Sequence, residues 1–167
     1  MDFKEEYEMV ENNLTEVLVE KMEKFFMENG WQYEYDEGCS MFIVSVAVKC
    51  KLKVVRVATL CRENGLLFRF VTDFELDDNY EAQVIEYIAR ANDGVRFGGF
   101  QMDFERKVIE YVGFVPCEDV PSNVMIDYAI WTGVSMWDQY CDNLLAVNFG
   151  MQTAKDAVEE VRSKIGL

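Results

Sequence analysis

Six carboxylates in the middle of the chain have the residue type and spacing for acid–base chemistry or cation binding. They are Asp73, Glu75, Asp77, Asp78, Asp103 and Glu105. Alternate residues of a strand share a face, so the first three would gather on one side if a strand continued through them. Such a group favours Mg²⁺ or Ca²⁺, but the spacing and the glycine of an EF-hand loop are missing. A solvated strand end followed by a helix cap explains the same residues more simply, so we predict no catalytic residue here.

The absence of histidine and the wide spacing of the cysteines limit the catalytic and metal-binding chemistry that this sequence can support. The sequence has no histidine, which excludes Ser-His-Asp and Cys-His catalysis and the HExxH zinc motif. The five cysteines lie far apart without a CxxC pair, which favours packed thiols: Cys39, Cys50, Cys61, Cys117 and Cys141. Zinc bound by the first three would lack a fourth ligand. Cys61, beside Arg62, would have a lowered thiol pKa only if it were exposed. We predict no cofactor and no metal site.

The stretch ANDGVRFGGFQMDF at residues 91–104 raises the question of a phosphate-binding loop. Such a loop follows a strand and opens a helix, whose free N–H groups hold the phosphate. Here Gly94 follows a helical run, where a left-handed cap belongs, while Gly98 and Gly99 open a strand. The GK[ST] signature is also missing. We interpret these glycines as a helix cap and a bulge or close backbone contact.

Hydrophobic periodicity predicts an α+β fold with the order helix, four strands, helix, two strands and one or two helices. The first helix covers residues 3–29, and an antiparallel meander of four strands follows. Asp78, with Glu81 three residues later, has the spacing of a capping box for a second helix that ends near Ala91. Strands are predicted over 97–104 and 108–115, then a long or interrupted helix and a last helix capped by Thr153. We expect a single domain over residues 1–167.

The stretch IEYIARANDGVRFGGFQMDFERKVIEYVGFVPCEDV resembles the signature region of the YbjN-like family. The structural motif comprises Asn92 after a helix, Gly94, and Gly98, Gly99 and Phe100 at the start of a strand. WQYEYDEG and NLLAVNFGMQTAKDAVEEV follow the same family order, so the resemblance covers nearly the whole chain. It implies a fold similar to type III secretion chaperones: a curved antiparallel sheet flanked by helices, often paired into dimers. The family is associated with sensory or transduction regulators, and it brings no catalytic residues with it.

Charge limits the partners that this protein can approach. With 16 Lys and Arg against 31 Asp and Glu, the formal net charge is -15, which repels nucleic acid and anionic membranes and attracts basic partners. There is no apolar run of 18 residues, and the N-terminus is acidic where a secretory signal would be basic. We therefore expect a cytoplasmic protein without nucleic-acid or membrane partners.

The C-terminal helical region is apolar on more than one face, which is typical of a helix that is buried or paired. Core packing explains most of its large side chains, but Met125, Trp131, Met136 and Trp137 are our candidates for partner binding. We therefore predict a non-enzymatic, acidic protein-binding module, chaperone-like or regulatory, that holds another polypeptide or pairs with itself as a homodimer. The alternative is a small-ligand or divalent-metal domain, enzymatic or not, with a pocket between sheet and helices.

Overall fold

The computed structural model describes the backbone of residues 3–166 and the side chains of residues 14–166. Its elements follow the predicted order. They are α1 (Phe3–Glu28), β1 (Glu34–Asp36), β2 (Met41–Ala47), β3 (Val54–Arg62), β4 (Gly65–Val71), α2 (Glu81–Ala91), β5 (Gly99–Asp103), β6 (Val108–Pro116), α3 (Asn123–Asn148) and α4 (Ala154–Ile165). The α+β class is confirmed. No helix within the described residues is both long enough and apolar enough to cross a membrane.

The six strands form one antiparallel sheet in the order β1-β2-β3-β4-β6-β5. The first four strands are consecutive neighbours, so the predicted meander is confirmed. The β5–β6 hairpin then adds to the free edge of β4 through β6. The edge strand β5 contacts α2.

The helices cover one face of this sheet. Strand register places large apolar residues opposite one another on that face, among them Val57, Phe70, Tyr111 and Phe100. Helices α1 and α3 pack against the strands, α2 contacts β5, and α4 packs against α2 and α3. Alternate residues of the strands point to the other face, as the period of two requires.

Aromatic rings fill the layer between α3 and the sheet. Trp137 donates its indole N–H to the carbonyl of Phe70 at 3.0 Å, and its ring meets Phe100 edge-to-face with centroids 5.3 Å apart. Gly133 lets the helix approach, because a Cβ atom there would lie 2.3 Å from the ring of Phe70. These side chains fill the layer between α3 and strands β4 and β5, which is one place where the alternative prediction would put a ligand pocket.

Side-chain caps begin α3 and α4, whereas the cap predicted for α2 is absent. Thr153 caps α4 by accepting from the Asp156 amide at 3.2 Å, and α3 runs uninterrupted from its own cap. The predicted capping box at Asp78 is wrong, because Tyr80 precedes α2 and makes no side-chain cap. Asp78 pairs instead with Lys107, a contact between distant segments that sequence spacing cannot indicate.

Candidate interaction surface

The first turns of α3 present four exposed apolar side chains, which we call the aromatic stripe: Val124, Met125, Tyr128 and Trp131. Their exposed fractions are 76%, 47%, 56% and 49%. Helical spacing puts Val124, Tyr128 and Trp131 on one side of the helix, opposite the residues that meet the sheet. Large exposed apolar patches are typical of contact surfaces in soluble proteins, which makes the aromatic stripe a candidate for one.

Half-buried rings from other elements extend the aromatic stripe on both flanks. Trp131 meets Trp31 edge-to-face with centroids 5.9 Å apart, and Tyr128 meets Phe97 in the same manner at 5.8 Å. Trp31 lies in the connection between α1 and β1, and Phe97 precedes β5. The surface is therefore built by three separate segments, which fix the orientation of the exposed rings.

Two of the four predicted partner-binding residues belong to the aromatic stripe and two do not. Met125 and Trp131 are exposed, whereas Met136 is half-buried against the core and Trp137 is completely buried. Trp137 therefore has to be removed from the set of candidate contact residues. The sequence could not separate the two tryptophans, because α3 is apolar both toward the sheet and on the aromatic stripe.

Asn92 and the glycines of the motif shape the backbone between α2 and β5. The Asn92 amide group bridges to β5: its Oδ1 accepts from the Phe100 amide and its Nδ2 donates to the Phe100 carbonyl. Gly98 adopts φ +69, and a Cβ atom there would lie 2.4 Å from the carbonyl oxygen of Val112. Gly94 also has a positive φ, but the cap of α2 is Asn92, two residues earlier than the predicted glycine cap.

The acidic residues singled out by spacing do not converge. Asp73 forms an exposed ion pair with Arg56, and Asp103 accepts from the Arg106 amide at 2.9 Å. Asp77 closes a local turn by accepting from the Asn79 amide. Among the described side chains, the group of three or more that could share one ion contains none of these carboxylates.

Comparison with known proteins places this architecture in a family. A family model described as "Putative bacterial sensory transduction regulator", named YbjN, matches residues 18–146. The chain belongs to the YbjN family. That description suggests a regulatory and non-enzymatic role.

A solved structure with the same fold as this YbjN-family protein supports the assignment. It is "Crystal structure of YbjN, a putative transcription regulator from E. coli", with a TM-score of 0.55 and 8% sequence identity. The alignment covers 77% of this chain and 89% of the E. coli protein. A comparison with curated proteins finds no match.

In this YbjN-family chain, Cys61 is buried and so does not meet the condition of exposure under which its thiol pKa would be lowered. Cys61 is 1% exposed, and burial raises its pKa to about 12 although the neighbouring Arg62 acts in the opposite direction. Cys39, Cys50 and Cys61 do not form a cluster: Cys61 lies near Cys117, and Cys50 lies near Cys141. Burial likewise raises the pKa of Cys141.

The sheet face opposite the helices carries an ion pair that the sequence analysis did not identify. Arg69 on β4 donates twice to the Glu110 carboxylate on β6, from Nε at 2.8 Å and from an Nη at 2.6 Å. Glu110 is 5% exposed, and its proximity raises the pKa of the Arg69 guanidinium. Half-buried Ala58, Leu67 and Val112 share this face. The pair links strands β4 and β6 through two residues that lie 41 positions apart in sequence.

Proposed function

We propose that this protein is a regulatory binding module that holds a basic segment of another polypeptide across the aromatic stripe. The single observation that carries the proposal is the joint exposure of Val124, Met125, Tyr128 and Trp131 on one helix. Aromatic side chains bury much area at little entropic cost, and Met adapts to partners of different shape.

The chemistry of the partner follows from charge. The net charge of -15 would accelerate the approach of a cationic segment and disfavour an anionic one. Glu118 and Asp119 are exposed just before α3, and Asp127 lies between Val124 and Tyr128 along the helix. A segment with two or three apolar anchors and flanking Lys or Arg residues fits this arrangement. The proposal includes a cytoplasmic location, where such a partner would be met.

A photo-crosslinking residue at position 124 tests the proposal in the source cell. The probe is introduced into the wild-type background and into a Tyr128→Ser, Trp131→Ser variant. The control carries Met27→Ser and Met151→Ser, which remove apolar side chains that are 67% and 75% exposed elsewhere on the surface. We expect one crosslinked polypeptide with a basic contact segment in the wild type and the control, reduced at least tenfold in the stripe variant.

Two results would contradict this function. If the stripe variant captures the same polypeptide as the control, the aromatic stripe is not the binding surface. If only abundant basic proteins are captured, and moderate salt removes all of them, the acidic charge serves solubility alone. A crosslink to a second copy of this chain, together with a dimer in sedimentation that the stripe variant lacks, would assign the surface to the homodimer alternative.

A further inference from the structure

Three side chains with metal-binding atoms converge at the end of the molecule where the β2–β3 loop meets α3. Cys50 comes from the loop, and Cys141 and Asp142 are consecutive residues of α3. Their two sulfur atoms and a carboxylate oxygen all lie within 4.8 Å of one another. In a tetrahedral zinc site, bond lengths of about 2.3 Å to sulfur and about 2.1 Å to oxygen place the ligand atoms roughly 3.5–3.8 Å apart. If the side chains rotate so that these atoms shift by about 1 Å, the three ligand atoms can surround one ion.

The backbone of the loop is already fixed against the helix. One oxygen of Asp138 accepts from the amides of Lys49 and Cys50, at 2.6 and 3.0 Å, and Asp142 accepts from the amide of Lys51 at 2.8 Å. Asp138, Cys141 and Asp142 have i, i+3, i+4 spacing, so one side of α3 holds the loop and presents the ligands. A carboxylate has several lone pairs, so the bond to Lys51 leaves Asp142 able to ligate. Such supporting bonds are the outer contacts that orient ligands in natural metal sites.

The ligand set selects the kind of ion. Two thiolates favour a thiophilic d¹⁰ ion of the zinc class and disfavour Mg²⁺ and Ca²⁺, which take oxygen ligands. Cys50 and Cys141 are buried, at 3% and 0% exposure, and Asp142 is the most exposed of the three. An ion at this place would therefore enter, and meet solvent, on the carboxylate side.

We propose that Cys50, Cys141 and Asp142 bind a thiophilic divalent ion of the zinc class, with a water molecule in the fourth position. Binding forms two metal–sulfur bonds and one metal–oxygen bond, and the two thiol protons leave to solvent. The ion would cross-link the β2–β3 loop to α3. This site is independent of the aromatic stripe, which lies in the first turns of the same helix.

The test uses the full chain, kept reduced with a phosphine so that no added thiol competes for metal. Co²⁺ is titrated while sulfur-to-cobalt charge-transfer absorption is followed, and Zn²⁺ is then added as the competitor. We expect one equivalent of Co²⁺ to bind with this absorption and Zn²⁺ to displace it. Zn²⁺ should also raise the Tm of the protein, because a ligand that binds the folded state stabilises it.

Variants identify the ligands and control for effects on folding. Cys50→Ala should lose the absorption and the Zn²⁺-dependent rise in Tm, whereas Cys117→Ala, which removes a buried thiol outside the site, should keep both. Asp142→Asn leaves both thiols in place and should weaken Co²⁺ binding at least tenfold. The proposal is overturned if stoichiometric Co²⁺ gives no charge-transfer absorption. It is equally overturned if Cys50→Ala and Cys117→Ala bind Co²⁺ with the same affinity.

Discussion

The side-chain amide of Asn92 pairs with both backbone polar groups of Phe100, accepting from its N–H at 2.7 Å and donating to its carbonyl at 2.9 Å. Asn92 thereby takes the place of a neighbouring strand residue at the edge strand β5. Because it is also the C-cap of α2, one side chain joins the end of a helix to the start of a strand.

Replacing Asn92 with Ala should destabilise the protein by roughly 2–3 kcal/mol, because both polar groups of Phe100 lose their partner in a half-buried position. Asn92→Asp should also destabilise it, since a carboxylate cannot donate to the Phe100 carbonyl. Gln101→Ala, an exposed amide on the same strand, is the matched control and should change the free energy of unfolding by about 0.5 kcal/mol or less. Urea unfolding followed by tryptophan fluorescence measures all three. Equal stability of the Asn92→Ala and Gln101→Ala variants would show that the bridge is not a stabilising contact.

Gly94 and Gly98 provide a matched pair for the glycine motif. Both have positive φ, at +83 and +69, but a Cβ atom at Gly94 meets open space while one at Gly98 would lie 2.4 Å from the Val112 carbonyl oxygen. Gly94→Ala should cost about 1–2 kcal/mol for the left-handed backbone alone. Gly98→Ala should cost clearly more, because β5 must also move away from β6. Thermal unfolding decides this, and a Gly98 variant as stable as the Gly94 variant would contradict the close contact.

The two tryptophans of α3 should respond to substitution in opposite ways. Trp137→Ala removes a completely buried ring and its hydrogen bond to Phe70, so we expect a loss of about 3–5 kcal/mol in the free energy of unfolding. Trp131→Ala removes a ring that is 49% exposed and should cost about 1 kcal/mol or less. Denaturant unfolding compares them directly. If Trp137→Ala leaves stability unchanged, the packing of α3 on the sheet is not as described.

The Arg69–Glu110 pair should behave as a buried ion pair despite its place on the helix-free face. Arg69→Met leaves Glu110 uncompensated at 5% exposure and should cost roughly 2–4 kcal/mol. Adding Glu110→Leu removes the unpaired charge and should restore much of that loss. Arg56→Met is the control, since its partner Asp73 is 81% exposed and such pairs contribute about 1 kcal/mol or less. Unfolding free energies of the two single variants and the double variant form a double-mutant cycle. If the two single effects simply add in the double variant, the Arg69–Glu110 pair is not energetically coupled.

Sequence periodicity was enough to predict the helices and strands, because a pattern such as MFIVSVA indicates directly which side chains face inward. The order of helices and strands, the four-strand meander and the end of α2 at Ala91 are confirmed. The single domain over residues 1–167 and the likeness to secretion chaperones remain predictions.

Contacts between distant segments could not be predicted in this way. The spacing of Asp78 and Glu81 indicated a helix cap, but Asp78 forms an ion pair with Lys107 in the β5–β6 hairpin. Cys50 and Cys141 meet although 91 residues separate them, and no local motif points to that pairing. In α3, hydrophobicity alone did not distinguish the side packed on the sheet from the side left exposed.

Alkaline pH should destabilise the protein partly through Cys61. Burial raises its pKa from the ordinary 9.0 to about 12, so between these values the unfolded chain has released a proton that the native state still holds. Stability that depends on the protonated thiol is therefore complete below pH 9.0 and is lost as pH rises toward about 12, by at most about 1.4 kcal/mol per pH unit. Cys61→Val removes this titration, so its stability relative to the wild type should be constant below pH 9 and improve above it. Urea unfolding at a series of pH values measures the difference, and a difference that stays flat up to pH 11 would show that the buried thiol does not contribute.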